Sequence, residues 1–274
     1  MLQPYPPRSY LFVPGSRPAR FPKALATRAD AVIIDLEDAV APEQKLMARE
    51  SVRTFLVAKT PILLRINGIK TEWFAGDLEL CRMGGVIGVI LPKAESADEI
   101  RAVARHTSPS MPILPLVETA QGLWNVNALA QEQQVERLLF GSIDLQLDLG
   151  ITADKDELFY HRSRIVLASR LAGIHAPVDG VCANVENTSR LRLESLRAYR
   201  LGFGAKLCVH PRQVRTVNDC FGPSRNEKEW AKRIVARAGA AHGAAVLVDG
   251  VMIDRPLLTR AEAILSRVAG SRKC

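Results

Sequence analysis

The fold turns on one stretch, Ala31-Val32-Ile33-Ile34-Asp35-Leu36-Glu37-Asp38. Its near-continuous apolar, β-branched start is the pattern of a parallel strand covered on both faces, and it closes on acids. Similar short runs recur along the chain: Tyr10–Val13, Ile62–Ile66, Val86–Leu91, Ile113–Val117, Leu138–Phe140, Val178–Cys182 and Lys206–Val209. Helix-compatible sequence separates them, so the chain reads as eight βα units. That count predicts an α/β protein built as a closed (β/α)8 barrel. An open doubly wound sheet fits less well, because no GxGxxG follows the first strand. The repeat spans residues 1–222. Beyond it, in 223–274, Asn226–Ala240 reads as a helix and the stretch from Ala244 to Asp254 as a hairpin turning at Asp249-Gly250. Pro256 opens a last helix with an apolar stripe of Leu257, Ala261, Ile264, Leu265 and Val268. That stripe must pack on this barrel or on a neighbouring subunit.

Composition narrows the function classes. The 274 residues are 47% hydrophobic, 24% charged and 5% aromatic, which is globular and excludes a disordered or fibrous protein. A chain this long buries roughly three quarters of its unfolded surface and needs no disulfide staples. No apolar run approaches the ~20 residues of a membrane helix, so no membrane partner is expected, and Met1–Arg8 lacks the apolar core of a signal peptide. The five cysteines (Cys81, Cys182, Cys208, Cys220, Cys274) are scattered and never form a CxxC pair, as expected of reduced thiols in a cytoplasmic protein. With Cys274 last, no prenylation box is present. The net charge of +8 favours anionic partners. Lys and Arg are interleaved with acids, and three Trp and four Tyr offer little to stack bases, so nucleic acid is not an expected partner.

In a barrel, chemistry collects where strands end. Here those ends carry Asp35 and Glu37, Arg65 and Asn67, Lys93, Glu118, Asp144 and His210, while Asp179 lies within the seventh strand. Crowded carboxylates raise one another's pKa unless a cation intervenes, and a hard divalent ion with oxygen ligands, Mg2+, suits such a set. Zn2+ does not, for want of His and Cys. The plainer alternative for Glu118 is an ion pair with Arg65 tying neighbouring strands. After the first strand, Pro14-Gly15 leads into Arg17, Arg20 and Lys23; a close turn and a helix start flanked by cations suit a phosphate-bearing arm, though Pro14-Gly15 also makes an ordinary turn.

Several motifs resemble the citrate lyase β-subunit (CitE-like) family, a branch of the superfamily of Mg-dependent acyl-CoA lyases and HpcH/HpaI aldolases. They are Arg8-Ser9-Tyr10-Leu11-Phe12-Val13-Pro14-Gly15, Asp35-Leu36-Glu37-Asp38-Ala39-Val40, Arg65-Ile66-Asn67-Gly68, Leu91-Pro92-Lys93, Glu118-Thr119-Ala120-Gln121-Gly122, Phe140-Gly141-Ser142-Ile143-Asp144-Leu145, Val209-His210-Pro211-Arg212-Gln213 and Met252-Ile253-Asp254. The resemblance implies a TIM barrel with a C-terminal helical lid, in a homo-oligomer such as a trimer. It implies a carbon–carbon lyase that splits a 3-hydroxyacyl-CoA thioester (citramalyl-, malyl- or citryl-CoA) into acetyl-CoA and a 2-keto acid. Glu118 and Asp144 would hold Mg2+ (or Mn2+), with Glu118 also reaching the substrate and Glu37 and Asp38 behind them. Arg65 would clamp the keto-acid carboxylate, Arg17 and Lys23 would meet the CoA phosphates, and Asp254 would be the base, from its own or a neighbouring subunit. Ala205-Lys206 and Cys182-Ala183-Asn184 depart from the family pattern.

Three other activities compete. One is a citrate lyase β subunit acting on a citryl-carrier-protein thioester. Another is a metal-dependent aldolase on a free hydroxy-keto acid, which resembling proteins serve with an early His base; the first His here is His106. The third is a Schiff-base aldolase using Lys93, which would want an apolar pocket around the amine. A non-enzymatic binding module leaves the motif residues unexplained. His161, His175 and His242 read as surface or packing residues, and Arg190–Arg200 as a solvated helix face.

Overall fold

The computed structural model describes residues 6–240, 246–248 and 251–270. Eight parallel strands close into a barrel in sequence order: β1 (Ser9–Pro14), β2 (Ala31–Asp35), β3 (Ile62–Arg65), β4 (Val86–Leu91), β5 (Ile113–Val117), β6 (Arg137–Phe140), β7 (His175–Asp179) and β8 (Ala205–Cys208). The barrel closes where β1 meets β8, with Ser9 opposite Lys206 and Tyr10 opposite Leu207. The (β/α)8 expectation from the recurring apolar runs is met. Strand seven lies three residues earlier than expected. Pro177 has no N–H for a ladder and so makes a poor strand interior, yet β7 runs through it and takes a register irregularity against β6. Among the described residues, no helix is long and apolar enough to cross a membrane.

The period-two pleat sorts every strand into an inward and an outward row. Tyr10, Ile33, Leu63, Ile90, Leu114, Leu116, Leu139, Val178, Ala205 and Leu207 form one buried cluster filling the barrel. Continuing the same parity towards the C-terminal ends gives Asp35, Arg65, Glu118 and Gly141. Polar groups at the mouth are thus the top layer of the same rows that make the core.

The opposite end is plugged by Arg137, which shares the inward parity of Leu139 and is 1% exposed. Its guanidinium lies 5.5 Å from the Tyr10 ring centroid and donates to Tyr10 Oη (3.0 Å), Pro7 O (2.6 Å) and Ala176 O (2.6 Å). Burial raises the Tyr10 phenol pKa, against the opposing pull of Arg137.

The chain divides into two compact units, Pro7–Asn218 and the segment from Asp219 onward. In the second, helix Arg225–Ala240 and helix Arg255–Gly270 enclose a small core of Ala231, Ile234, Ile253, Ala261 and Ile264, with Leu257 and Leu265 against it. Strands β9 (Val246–Val248) and β10 (Val251–Ile253) pair antiparallel. The apolar stripe of the last helix therefore finds its partner within its own unit. Asp249-Gly250, His242 and Cys274 lie outside the described residues, as does the Val268 side chain.

Arg137 sits at the end of the barrel where conservation of structure, not chemistry, is expected to matter. Arg137→Leu should lower unfolding stability by about 3 kcal/mol, because two carbonyls and the Tyr10 hydroxyl lose a buried donor. Turnover per folded molecule should be unchanged; urea denaturation alongside activity assays checks both.

Candidate active site

The mouth is organised by a buried pair. Arg65 at the end of β3 donates Nε to Asp35 Oδ1 and Nη2 to Asp35 Oδ2, both at 2.6 Å, across the β2–β3 register that places these two residues side by side. Asp35 also accepts the main-chain N–H groups of Glu37 (2.9 Å) and Ala39 (3.2 Å), so it shapes the turn after β2. The guanidinium stacks 4.8 Å from the Phe12 ring centroid, and its Nη1 faces Glu37 Oε2 at 2.9 Å and Asp38 Oδ2 at 3.5 Å. Glu37 Oε2 is buried without a hydrogen bond despite that proximity, since the approach is close but poorly aimed. Glu37 Oε1 accepts from Lys93 Nζ at 2.6 Å. Burial raises the Glu37 pKa, which Arg65 opposes. Burial also pushes Asp38 up, but the neighbouring Glu37 carboxyl and the charges of Arg65 and Lys93 hold it below its ordinary value.

Glu118, just past β5, is 1% exposed. Its Oε1 accepts the Lys93 main-chain N–H at 2.8 Å. Arg65 gives its ion pairs to Asp35, Glu37 and Asp38, so Glu118 is not the strand-tying partner of Arg65. Its side chain fits only because residue 141 is glycine: a Cβ on Gly141 would run into Cβ and Oε2 of Glu118. Asp144 follows three residues later, in the first turn of helix Ser142–Leu149. Burial, then the charges of Glu37 and Asp144, push the Glu118 pKa up to about 8, against Lys93 and Arg65. A buried carboxylate crowded by two others, with oxygen donors alone, fits a hard divalent cation. Among the described residues no group of three or more His, Cys, Asp and Glu is placed to hold a metal ion.

The match to known proteins covers most of the chain: the model of the HpcH/HpaI aldolase/citrate lyase family aligns to residues 8–211. The chain belongs to that family. A (3S)-malyl-CoA thioesterase of Cereibacter sphaeroides is 34% identical over 278 residues, 96% of this chain and 97% of that protein. The mitochondrial citramalyl-CoA lyase of Rattus norvegicus is 29% identical over 291 residues, 95% of this chain and 86% of the relative. The protein CitE of Mycobacterium tuberculosis, solved with magnesium, acetoacetate and coenzyme A, superposes with a TM-score of 0.87 at 34% identity, covering 98% of this chain and 100% of that one.

The other residues singled out in the sequence have partners or settings of their own. Asp179 is 0% exposed, and it faces outward because its neighbour Val178 takes the inward row. It pairs with Lys206 Nζ (2.7 Å) and Arg162 Nε (2.8 Å); burial would raise its pKa, but those two cations hold it low. His210 instead accepts the Arg212 N–H through Nδ1, closing a local turn. Arg17 and Lys23 are exposed after β1. The helix that carries Lys23 spans only Phe21–Leu25, too short to focus an anion site. Asp254 belongs to the C-terminal unit, is exposed, and caps helix Arg255–Gly270 by accepting the Leu257 N–H at 3.1 Å. Lys93 is held charged: burial acts to lower its pKa, but Glu37, Glu118 and Asp38 outweigh it, which removes the neutral amine a Schiff-base route requires.

Two features escaped sequence reasoning. Lys45 is buried and donates Nζ to Leu36 O (2.7 Å), Glu37 O (2.8 Å) and Asn67 Oδ1 (2.7 Å). Asn67 in turn donates to Asp77, which Arg49 anchors at 2.9 Å, so a polar chain braces the Asp35–Asp38 turn from behind. The second is a cavity of about 800 Å³ between Ile143 and Gln146 on one wall and Arg190, Glu194 and Arg197 on the other. Arg197 donates to Asp154 O (2.6 Å) and Glu194 is buried, so Arg190–Arg200 is not merely a solvated face.

A carboxyl with a raised folded pKa favours the folded state at low pH and disfavours it as pH rises through the interval from 4.5 to about 8. In EDTA, Glu118→Gln should therefore melt higher than the wild type near pH 8 and no higher near pH 5. Thermal denaturation at the two pH values reads the difference.

Proposed function

We propose that this family member is an Mg2+-dependent carbon–carbon lyase, which cleaves a 3-hydroxyacyl-CoA of the citramalyl-, malyl- or citryl-CoA type into acetyl-CoA and a 2-keto acid. The observation that carries the reading is the Arg65 guanidinium fixed by Asp35 along one edge, beside the Glu118–Asp144 carboxylate pair. The citramalyl-CoA lyase relative and the magnesium, acetoacetate and coenzyme A complex of the CitE neighbour support it.

Glu118 and Asp144 would hold the ion, whose charge when bound would polarise the substrate oxygens and stabilise the negative charge on the 3-hydroxyl oxygen as its proton leaves. Arg65 keeps its Nη1–Nη2 edge for the keto-acid carboxylate, because Asp35 already occupies the Nε–Nη2 edge; Glu37 gives way on that side. Phe12 shields the back of the guanidinium from water. In the synthetic direction Asp254 takes a proton from the acetyl methyl and water protonates the new alkoxide; in cleavage the 3-hydroxyl proton passes to water as the carbon–carbon bond breaks, and Asp254 gives its own proton to the departing enolate carbon. Its exposed carboxylate would need the C-terminal unit to close over the substrate and exclude water. Arg17 and Lys23, both exposed, would meet the CoA phosphates. The working form would be a homo-oligomer, such as a trimer.

The thioesterase relative makes hydrolysis the second reading. Purified protein given citramalyl-CoA, malyl-CoA and citryl-CoA separates them. Acetyl-CoA with a keto acid, abolished by EDTA, establishes the lyase, whereas free CoA with an intact hydroxy acid establishes the hydrolase. Asp254→Asn should keep the melting temperature, since Asn caps helices as well as Asp, while losing turnover. Unimpaired turnover in that variant places the base elsewhere. Arg65→Lys should weaken keto-acid binding by about 2 kcal/mol, because an ammonium cannot reproduce the forked contact. Titration calorimetry with pyruvate, glyoxylate and oxaloacetate measures this and ranks the acids.

A further inference from the structure

The mouth of the barrel is a ring, and strand order fixes which group sits where on it. Arg65 ends β3, Glu118 follows β5, and Asp144 lies in the first turn of the helix after β6. Next around the ring, at the end of β7, comes the cavity of about 800 Å³. Its walls include Ile143 and Gln146, which flank Asp144 in that helix, and Val181 and Ala183, which follow β7. Val181 also packs on the cluster filling the barrel, so this wall is shared with the mouth. Gly180 lets the two sides meet closely, since a Cβ there would run into the Ser142 side chain. Arg65 and the cavity therefore lie on opposite flanks of the Glu118–Asp144 pair.

A 2-keto acid carries its carboxylate on one side of the carbonyl and its substituent on the other. With the carboxylate on Arg65 and the carbonyl beside Glu118 and Asp144, the substituent runs towards β7. There it meets apolar wall first, from Ile143, Val181 and Ala183, and then Arg190 and Arg197 of helix Thr188–Leu201. The acids of that wall are already engaged. Asp154 Oδ1 accepts from Arg162 (2.6 Å) and Arg197 (3.1 Å), and Glu194 Oε1 accepts from Arg190 Nε at 2.8 Å. Glu194 Oε2 stands 3.9 Å from Lys206 Nζ. Lys155 and Asp156, both exposed, offset each other in charge. Donors are what stay open. Among the described residues the Arg190 side chain is engaged only through Nε, and Arg197 Nε is buried without a hydrogen bond. An apolar chain ending there would leave those donors unmet, whereas a carboxylate would take them up. A cavity of this volume is on the scale of a whole small-molecule site, far more than a methyl or carboxymethyl group fills.

We propose that this cavity is a subsite for the C3 substituent of the thioester, and that it selects a chain of two or more methylenes ending in its own carboxylate. The inference rests on the lyase reading given under Proposed function. Arg190 meets the far carboxylate and touches none of the reacting atoms.

The test uses the full chain with Mg2+ and four thioesters built on malyl-CoA, whose C3 hydrogen is replaced by methyl, carboxymethyl, propyl or 2-carboxyethyl. Cleavage between C2 and C3 gives acetyl-CoA with pyruvate, oxaloacetate, 2-oxovalerate or 2-oxoglutarate, by the proton transfers already described. The 2-carboxyethyl thioester should exceed the propyl one in kcat/KM at least tenfold, roughly the gain from one charged hydrogen bond, and should also exceed the carboxymethyl one. Arg190→Met, at a largely exposed side chain, should bring the 2-carboxyethyl-to-propyl ratio below threefold. Ala183→Phe, which fills the cavity from an exposed position, should lower both long thioesters at least tenfold relative to the methyl one. Titration calorimetry with 2-oxoglutarate and 2-oxovalerate repeats the comparison without turnover. Turnover of the methyl thioester with no preference for 2-carboxyethyl over propyl or carboxymethyl overturns the inference and leaves the lyase reading standing. So does a preference that survives Arg190→Met, or an Ala183→Phe variant that spares the long thioesters. No acetyl-CoA from any of the four overturns the lyase reading and this inference together.

Discussion

The mouth depends on the Asp35–Arg65 pair. Two charges are taken out of water at the tops of adjacent strands, and such a pair is tolerable only when every donor and acceptor is occupied. Asp35 meets that condition with two guanidinium bonds and two main-chain N–H groups; Arg65 gives Nε and Nη2 to Asp35, rests on the Phe12 face and turns Nη1 towards the charges of Glu37 and Asp38. The strands are stitched at the same level by backbone bonds from Gly15 N to Asp35 O (2.7 Å) and from Leu36 N to Arg65 O (2.9 Å). Gly15 makes the first of these possible, since a Cβ there would press on Asp35 O and the Leu36 side chain. With β1, β2 and β3 locked together, the turn bearing Glu37 and Asp38 has one place to go.

That rigidity is used against an electrostatic preference. Glu118 is buried beside Glu37 and Asp144, an arrangement that favours a proton or a cation over a bare carboxylate. Around it the protein supplies fixed groups: the Lys93 N–H, the space left by Gly141, and the Lys45–Asn67–Asp77–Arg49 chain behind the turn. The opposite end of the barrel needs no such tension. There Arg137 lies among neutral acceptors and the Tyr10 ring, and its role is to close the core.

The strands and most of the mouth were legible in the residues. Apolar β-branched runs ending on Asp35, Arg65, Glu118 and the Gly141–Asp144 turn needed only the period of a strand to be placed. The seventh strand lies three residues earlier than the apolar run suggested. Reading the seventh strand as Val178–Cys182 obscured that Val178 faces in, and hence that Asp179 must face out towards Arg162 and Lys206. The apolar stripe of the last helix was legible too, but its partner was not: Ala231 and Ile234 lie some thirty residues away, and amphipathicity says that a face is buried without saying against what.

What the sequence by itself determined is the barrel, the inward and outward rows of its strands, and the kinds of group at their ends. These follow from local chemistry repeated at short range: two-residue alternation, strand-ending turns, and glycine where a neighbour needs space. What only the tertiary structure decided is how those groups share one another. Arg65 commits an edge to Asp35, Lys93 serves Glu37 and Glu118 from a single left-handed residue, and Lys45 reaches back under the turn. The physical reason is that charge pairing and desolvation depend on distances of a few ångströms between residues that are 9 to 56 positions apart in sequence, and no local pattern encodes those distances.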